Sequence, residues 1–344
     1  MDRFGTFHLV GGNSVTQYSI VAGRSIVAER MFTTFASTAK GHGTEMEIER
    51  RLYHYGLGLG VPYRALNSLA NAVDVARNAG EHGKRQRLAR EMLAGSPWTG
   101  FISKDRGFGL ADPSLLPGAQ EAIDAARRII EESSRDSWKK RKQNPFYQLE
   151  TPEFLRDHPA LINFALSDAV LHIVSDYLGL VPQMKEIGIW VTPKQESEFS
   201  SQLYHLDKPE GKLVKLFMNV NQTGEDGGAL TFLPLNVSEQ VRRMTNYESV
   251  YYRGTGRLDD KAVFSHCSPN DQMALTGDIG KGGFVDTSNC LHFGSRCKTG
   301  ERRMLTIAYM LPHKARDRRT PLFDLVPEPA DDVRRLVLSG ARFR

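Results

Sequence analysis

The chain has 344 residues, of which 40% are hydrophobic and 25% are charged, so it can bury a sizeable core. Its 45 basic and 40 acidic residues leave a formal net charge of +5, mixed along the chain. This charge can favour an acidic ligand but is too weak to indicate nucleic-acid binding. No apolar run reaches the roughly 18 residues of a membrane span, and residues 1–40 lack a signal-peptide stretch.

The cysteines are few and odd in number: Cys267, Cys290 and Cys297. They do not form a disulfide framework, and a reducing cytoplasm is the simplest compartment. Because Cys290 and Cys297 flank His292, a thiol zinc site is an alternative. Their spacing is not that of a Cys-x-x-Cys pair, and no fourth soft ligand is nearby.

The sequence pattern in the first half of the chain predicts helices. Gly11-Gly12 and the glycine-dense residues 56–60 predict turns. Apolar residues at three-and-four spacing predict helices over 63–95 and 118–136. The basic run at 138–142 predicts a solvated turn, with a phosphate-binding or docking patch as the alternative.

Two further helices precede a change of pattern. Pro152 at a first helical position begins one, and a broad apolar face over 159–178, stopped by Gly179, gives the other. After residue 186 the pattern becomes that of strands: short runs rich in β-branched and aromatic residues, at 187–191, 213–220, 229–233, 283–286 and 304–310.

No helices alternate with these strands, which disfavours a parallel sheet. The pattern predicts an α+β protein with a mainly β core, an antiparallel sandwich or jelly roll covered on one side by the upstream helices. We expect a largely helical N-terminal extension over 1–145, the β core over 146–315 and a C-terminal tail over 316–344.

Three residues of metal-ligand type stand out. His205 and Asp207 are two apart, so in a strand both side chains lie on one face, and His292 follows a later predicted strand. Two imidazoles and a carboxylate form the facial triad that holds ferrous iron, with zinc and manganese as competitors. The adjacent Arg302 and Arg303 offer a cation that can anchor an acidic co-substrate.

The chain resembles the phytanoyl-CoA dioxygenase superfamily of iron(II)/2-oxoglutarate oxygenases over roughly residues 150–312. The segments that carry the resemblance are Ser201-Gln-Leu-Tyr-His-Leu-Asp207, residues 213–220, 224–234 and 283–295, and Arg302-Arg303 with Met304 to Tyr309.

The resemblance implies a double-stranded β-helix, which is a jelly roll of cupin-like form. It also implies iron ligands at His205, Asp207 and His292, with 2-oxoglutarate and O2 as co-substrates. The family's arginine about eleven residues beyond the distal histidine pairs with the far carboxylate of 2-oxoglutarate, and Arg303 has that spacing. The chain departs from the family at Gly294, where many relatives have serine, and Ser295 follows. Lys215 is either a second co-substrate contact or a structural lysine.

The implied function is hydroxylation, or a related oxidation, of an unactivated carbon in a small organic substrate. We expect no nucleic-acid or membrane partner, and the sequence leaves the oligomeric state open. Two alternatives remain: a cupin-like zinc or manganese enzyme without 2-oxoglutarate turnover, and a catalytically silent metal- or ligand-binding protein.

Overall fold

The computed structural model describes residues 63–135, 138–140, 145–149, 152–196, 198–207, 211–312 and 331–339. The chain divides into two compact units, Met1–Ala70 and Asn71–Arg344. The predicted turns at Gly11-Gly12 and 56–60 lie outside the described residues. The predicted domain boundaries at 145 and 315 stay predictions.

The described helices are α1 (Tyr63–Arg77), α2 (Ala79–Leu93), α3 (Ala119–Glu132), α4 (Pro152–Asp157), α5 (Pro159–Ala165), α6 (Asp168–Leu178), α7 (Leu235–Thr245), α8 (Tyr247–Arg253), α9 (Asp260–Phe264) and α10 (Asp332–Leu338). The helix predicted over 118–136 is the single helix α3, whereas those predicted over 63–95 and 159–178 are each two helices. The first breaks at Asn78, whose side chain donates to the carbonyl of Asp74 and competes with the helix ladder. The second breaks at Ser167, which caps α6 through Val170.

The described strands are β1 (Phe108–Ala111), β2 (Lys139–Lys140), β3 (Tyr147–Leu149), β4 (Gln183–Pro193), β5 (Leu213–Asn219), β6 (Thr231–Phe232), β7 (Met273–Ala274), β8 (Gly282–Asp286), β9 (His292–Phe293) and β10 (Glu301–Met310). They form two antiparallel sheets, a seven-stranded one of order β1-β8-β5-β10-β4-β3-β2 and a three-stranded one of order β7-β6-β9. The prediction of a turn is wrong for Lys139 and Lys140, which pair with β3 at the edge of the large sheet, and the other basic residues of the run lie outside the described residues. Strand β1 also belongs to this sheet, although it lies in the segment predicted to be largely helical.

The large sheet lies between helices and the small sheet. On β5, Val214, Leu216 and Met218 pack in one core with apolar residues of α3, α5 and α6. Phe217 points the other way and packs with Phe232 of β6. Strand alternation therefore gives β5 one face toward the helices and one face toward the small sheet.

Helices α7 to α9 cover the other face of the small sheet. Tyr204 and Phe293 pack there against Val241, Tyr247 and Val263 of these helices. The residues of the small sheet that alternate with this buried set therefore face the large sheet, and the candidate site lies on that inner face.

No single helix among the described residues is long and apolar enough to cross a membrane. The pair α5 and α6, bent by 41°, meets the criteria of length and composition only when taken together.

Candidate metal centre

The two histidines are neighbours in a backbone ladder. The His205 N–H donates to the His292 carbonyl at 2.9 Å, and the His292 N–H donates back to the His205 carbonyl at 3.0 Å. Directly opposed residues of an antiparallel pair point to the same face, and the ring centroids are 4.3 Å apart. Main-chain pairing thus brings together two side chains that are distant in the sequence.

Asp207 is held by the loop between β8 and β9. Its N–H donates to the Thr287 carbonyl at 2.8 Å, and the Ser288 hydroxyl donates to its own carbonyl at 2.5 Å. Its carboxylate oxygens lie 3.9 Å from His205 Nε2 and 3.7 Å from His292 Nε2. One ligand atom from each of the three residues lies within 4.8 Å of the others, which fits a shared ion.

The ring orientations also suit metal binding. His205 Nδ1 lies 2.9 Å from the Leu203 carbonyl, and His292 Nδ1 lies 3.0 Å from the Cys290 carbonyl. A proton on each Nδ1 lets it donate a hydrogen bond to the neighbouring carbonyl. The unprotonated Nε2 then has a lone pair for a metal ion, which is the usual arrangement of a metal-bound histidine. The structure therefore brings together all three predicted ligands, and their metal-binding role stays a prediction.

The protonation states of the three ligands fit a cation. Burial lowers the pKa of His205 well below its ordinary value, and the neighbouring His292 and Arg257 lower it further. Burial also lowers the pKa of His292. Although burial alone would raise the pKa of Asp207, the positive charge of Lys215 holds it well below its usual range. Neutral imidazoles and an ionised carboxylate are the forms that bind a metal.

Lys215 faces the same site. It alternates with the helix-facing residues of β5, and its Nζ lies 2.8 Å from Asp207 Oδ2. It also lies over the ring of Trp190, 5.4 Å from the centroid. Lys215 thus contacts the cluster directly, through the carboxylate of Asp207.

The spacing implied Arg303 as the arginine of the site, whereas the structure turns Arg302 inward; the co-substrate role of either residue stays a prediction. Arg302 is 3% exposed and, like Met304, lies on the inner face of β10. Arg303 has a side chain that is 32% exposed and forms an ion pair with Glu301 at 3.0 Å. The sequence spacing from His292 could not decide between adjacent residues, because it does not fix how many loop residues precede β10.

Arg302 has no acidic partner among the described residues. Its Nη1 donates to the Ser295 hydroxyl at 3.1 Å, and its Nη2 lies 2.7 Å from Met304 Sδ. Its buried Nε has no hydrogen-bond partner. Burial lowers the pKa of Arg302 to about 10. A guanidinium buried without a carboxylate is costly by itself, so this position fits an anionic ligand.

Gly294 leaves room for that guanidinium. A Cβ added at Gly294 would lie 3.1 Å from Arg302 Nη1, closer than most side-chain contacts. Ser295, which has a φ of 68°, turns its hydroxyl to Arg302 and to Thr192 at 3.1 Å each. Ser295, directly after Gly294, thus accepts a hydrogen bond from the arginine and holds it in place.

Asp286, which was not predicted from the sequence, positions the loop that holds Asp207. Asp286 accepts hydrogen bonds from the Ser288 N–H at 3.2 Å and from the Tyr177 hydroxyl at 2.8 Å, and so shapes the loop that holds Asp207. Burial raises the pKa of Asp286. Its place at the end of a predicted strand, six residues before His292, was the only available signal.

The cysteines do not contribute to this cluster. Cys267, Cys290 and Cys297 are free thiols, and none of them belongs to a metal-ligand group within the described ranges. Burial raises the pKa of Cys290 well above its ordinary value, which disfavours the thiolate that zinc requires. The thiol alternative therefore has no structural support here.

No family model and no curated protein sequence matches the chain. Solved structures resemble it in part. The non-heme alpha ketoglutarate dependent epimerase SnoN from nogalamycin biosynthesis is 12% identical, with 66% of this chain and 83% of that chain covered and a TM-score of 0.41. HygX from Streptomyces hygroscopicus, with nickel and 2-oxoglutarate bound, is 13% identical over 63% and 87%, with a TM-score of 0.43. EctD from S. alaskensis, with bound Fe, is 14% identical over 60% and 73%, with a TM-score of 0.43.

Proposed function

We propose that the chain is an iron(II)- and 2-oxoglutarate-dependent oxygenase of the phytanoyl-CoA dioxygenase-like kind, with a jelly-roll core formed by its two sheets. Its reaction is the hydroxylation, or a related oxidation, of an unactivated carbon in a small organic substrate. The observation that carries the proposal is a buried arginine, Arg302, that has no acidic partner among the described residues and contacts Ser295, three residues after the candidate ligand His292.

His205, Asp207 and His292 would hold the metal. Two imidazoles and one carboxylate suit ferrous iron and leave coordination positions open. Bound iron, with 2-oxoglutarate and O2, supplies the oxidising chemistry. The protein fixes the ligand set through the His205–His292 ladder and through the loop that holds Asp207. With a metal bound, the Asp207 carboxylate would fill a ligand position that a halide would need, which favours oxidation over halogenation.

Arg302 takes the co-substrate role first assigned to Arg303. Its guanidinium contacts Ser295, three residues beyond His292, so it lies beside the cluster. A carboxylate can accept two parallel hydrogen bonds from a guanidinium, and the free Nε adds a donor. The far carboxylate of 2-oxoglutarate would thereby neutralise a charge that the fold leaves buried and unpaired.

Anaerobic addition of ferrous iron and 2-oxoglutarate tests the proposal. We expect the visible charge-transfer absorption of the chelated co-substrate, and 2-oxoglutarate-dependent succinate formation once O2 is admitted. Asp207→Ala should lose both signals, and Arg302→Met should lose affinity for 2-oxoglutarate while it retains metal. Arg87→Ala, which removes an exposed arginine of α2, is the matched control.

Metal binding without the chelate absorption would contradict the oxygenase proposal. That result would favour the zinc or manganese enzyme, which needs no 2-oxoglutarate. A chain that binds no metal would favour the silent binding protein.

A further inference from the structure

A second arginine faces the candidate metal centre from the small sheet. The Tyr204 N–H donates to the Leu258 carbonyl at 2.9 Å, and the Leu258 N–H donates back to Tyr204 at 2.9 Å. These two side chains pack outward against α7 to α9. In an antiparallel pair the next residues, His205 and Arg257, point to the opposite face. Arg257 therefore shares the inner face with the metal ligand His205.

The backbone of Arg257 is fixed against the site. Fully buried Tyr247 donates its hydroxyl to the Gly256 carbonyl at 2.9 Å and accepts the Leu206 N–H at 2.9 Å. Gly256 has a φ of 65°, and a Cβ there would lie 2.9 Å from the ring of Tyr251. One tyrosine thus ties the turn before Arg257 to the segment between His205 and Asp207.

The guanidinium of Arg257 is half-buried and has no ion pair within the described part of the chain. Toward the residues that the structure describes, it donates a hydrogen bond to the adjacent Gly256 carbonyl at 3.2 Å. The carboxylate of the cluster, Asp207, is paired with Lys215 instead. The charge of Arg257 is also among the causes that lower the pKa of His205 and His292, which agrees with its position on their side of the sheet.

We propose that Arg257 binds an anionic group of the substrate, a carboxylate or a phosphate, and so makes the enzyme selective for small anionic molecules. This inference rests on the proposed function. Arg302 lies on the large sheet and Arg257 lies beside the small sheet, so the site presents one cation to the co-substrate and another to the substrate. Because Arg257 is directly opposed to the candidate ligand His205, an anionic group bound there would belong to the same small molecule as the oxidised carbon.

Paramagnetic relaxation tests this assignment without knowledge of the substrate. The protein is loaded with Co(II) and saturating 2-oxoglutarate, and the relaxation of inorganic phosphate (³¹P) and of ¹³C-labelled acetate is measured in separate arms. We expect enhanced relaxation of at least one anion, and the stronger arm identifies the preferred group. Arg257→Ala should weaken that binding by at least about tenfold, the effect of losing a charge-assisted hydrogen bond. Arg257→Lys should restore part of it, and Arg87→Ala should match the parent.

Three outcomes overturn the inference. Neither anion relaxes faster in the parent, or the enhancement survives in Arg257→Ala, or that variant loses 2-oxoglutarate affinity to the same extent. In the last case Arg257 serves the co-substrate. A chain that binds no Co(II) overturns the proposed function and this inference together. A Co(II) complex without an Arg257-dependent anion overturns the inference alone.

Discussion

Replacement of Arg302 by methionine should stabilise the ligand-free protein and abolish its response to 2-oxoglutarate. Burial lowers the pKa of Arg302 from 12.5 to about 10. At about 1.4 kcal/mol per pKa unit, the charged side chain costs the folded state roughly 3 kcal/mol at neutral pH. Well below pH 10 the guanidinium of Arg302 is protonated in both the folded and the unfolded chain. The full cost of burying its charge is therefore present at neutral pH.

The loss of the Ser295 hydrogen bond offsets about 1 kcal/mol of that gain. Methionine fits the neighbourhood of Met304 and has no charge to bury, so the net expectation is a free energy of unfolding higher by about 2 kcal/mol. Urea unfolding, with and without 2-oxoglutarate in the presence of Zn(II), measures both effects. In the parent, a co-substrate at about one hundred times its Kd should add roughly 2.7 kcal/mol, and the variant should show almost none of this increase.

Arg303→Met is the matched control, because it removes the adjacent, partly exposed arginine that pairs with Glu301. Its free energy of unfolding should change by no more than about 1 kcal/mol, and its response to 2-oxoglutarate should persist. If Arg302→Met unfolds at lower urea than the parent and still responds to 2-oxoglutarate, then Arg302 is a structural residue and the co-substrate assignment fails.

Three further predictions concern the cluster and the sheet that supports it. Asp207→Ala should lose metal binding in a Co(II) titration and should leave Lys215 buried without its carboxylate partner; retained affinity would remove Asp207 from the ligand set. Because the pKa of His205 is lowered in the folded state, the metal-free protein should lose stability as pH falls below about 6.5. The urea midpoint of His205→Gln should decrease less steeply with falling pH than that of the parent. Gly282→Ala should lower the thermal midpoint strongly, since its Cβ would lie 1.9 Å from the Phe217 carbonyl oxygen. Gly83→Ala in α2, with no atom within 4 Å of its Cβ, should raise the midpoint slightly. Similar midpoints for the two variants would contradict this expectation.

The long strands could be predicted from sequence because their pattern is local. Strands β4, β5, β8 and β10 each contain a run of β-branched or aromatic residues, and each predicted run falls within or beside its strand. The two-residue strands β7 and β9 were not predicted, since two residues have no periodicity. Their pairing depends on tertiary contacts, as between Thr231 and Phe293.

The candidate ligands could be predicted from residue type, whereas the directions of the arginine side chains around them could not. His205, Asp207 and His292 are chemically distinctive, and the structure brings them together. Which residues of a strand face inward depends on where the strand begins, and the sequence does not fix that point for β10. The structure shows that Arg302 faces inward and that Arg303 faces outward. Arg257 could not be predicted as a residue of the site, because its position depends on one isolated pairing, between Tyr204 and Leu258.

The main-chain pairing of His205 with His292 has a consequence for handling the protein. Since the peptide backbone already sets these two donors side by side, little ordering is needed when an ion arrives. A preformed nitrogen and oxygen pocket of this type follows the general affinity series of divalent ions, in which nickel, copper and zinc exceed ferrous iron. Protein purified on a nickel resin would then carry nickel in place of the proposed iron, and chelation followed by anaerobic reloading would be needed before turnover is measured.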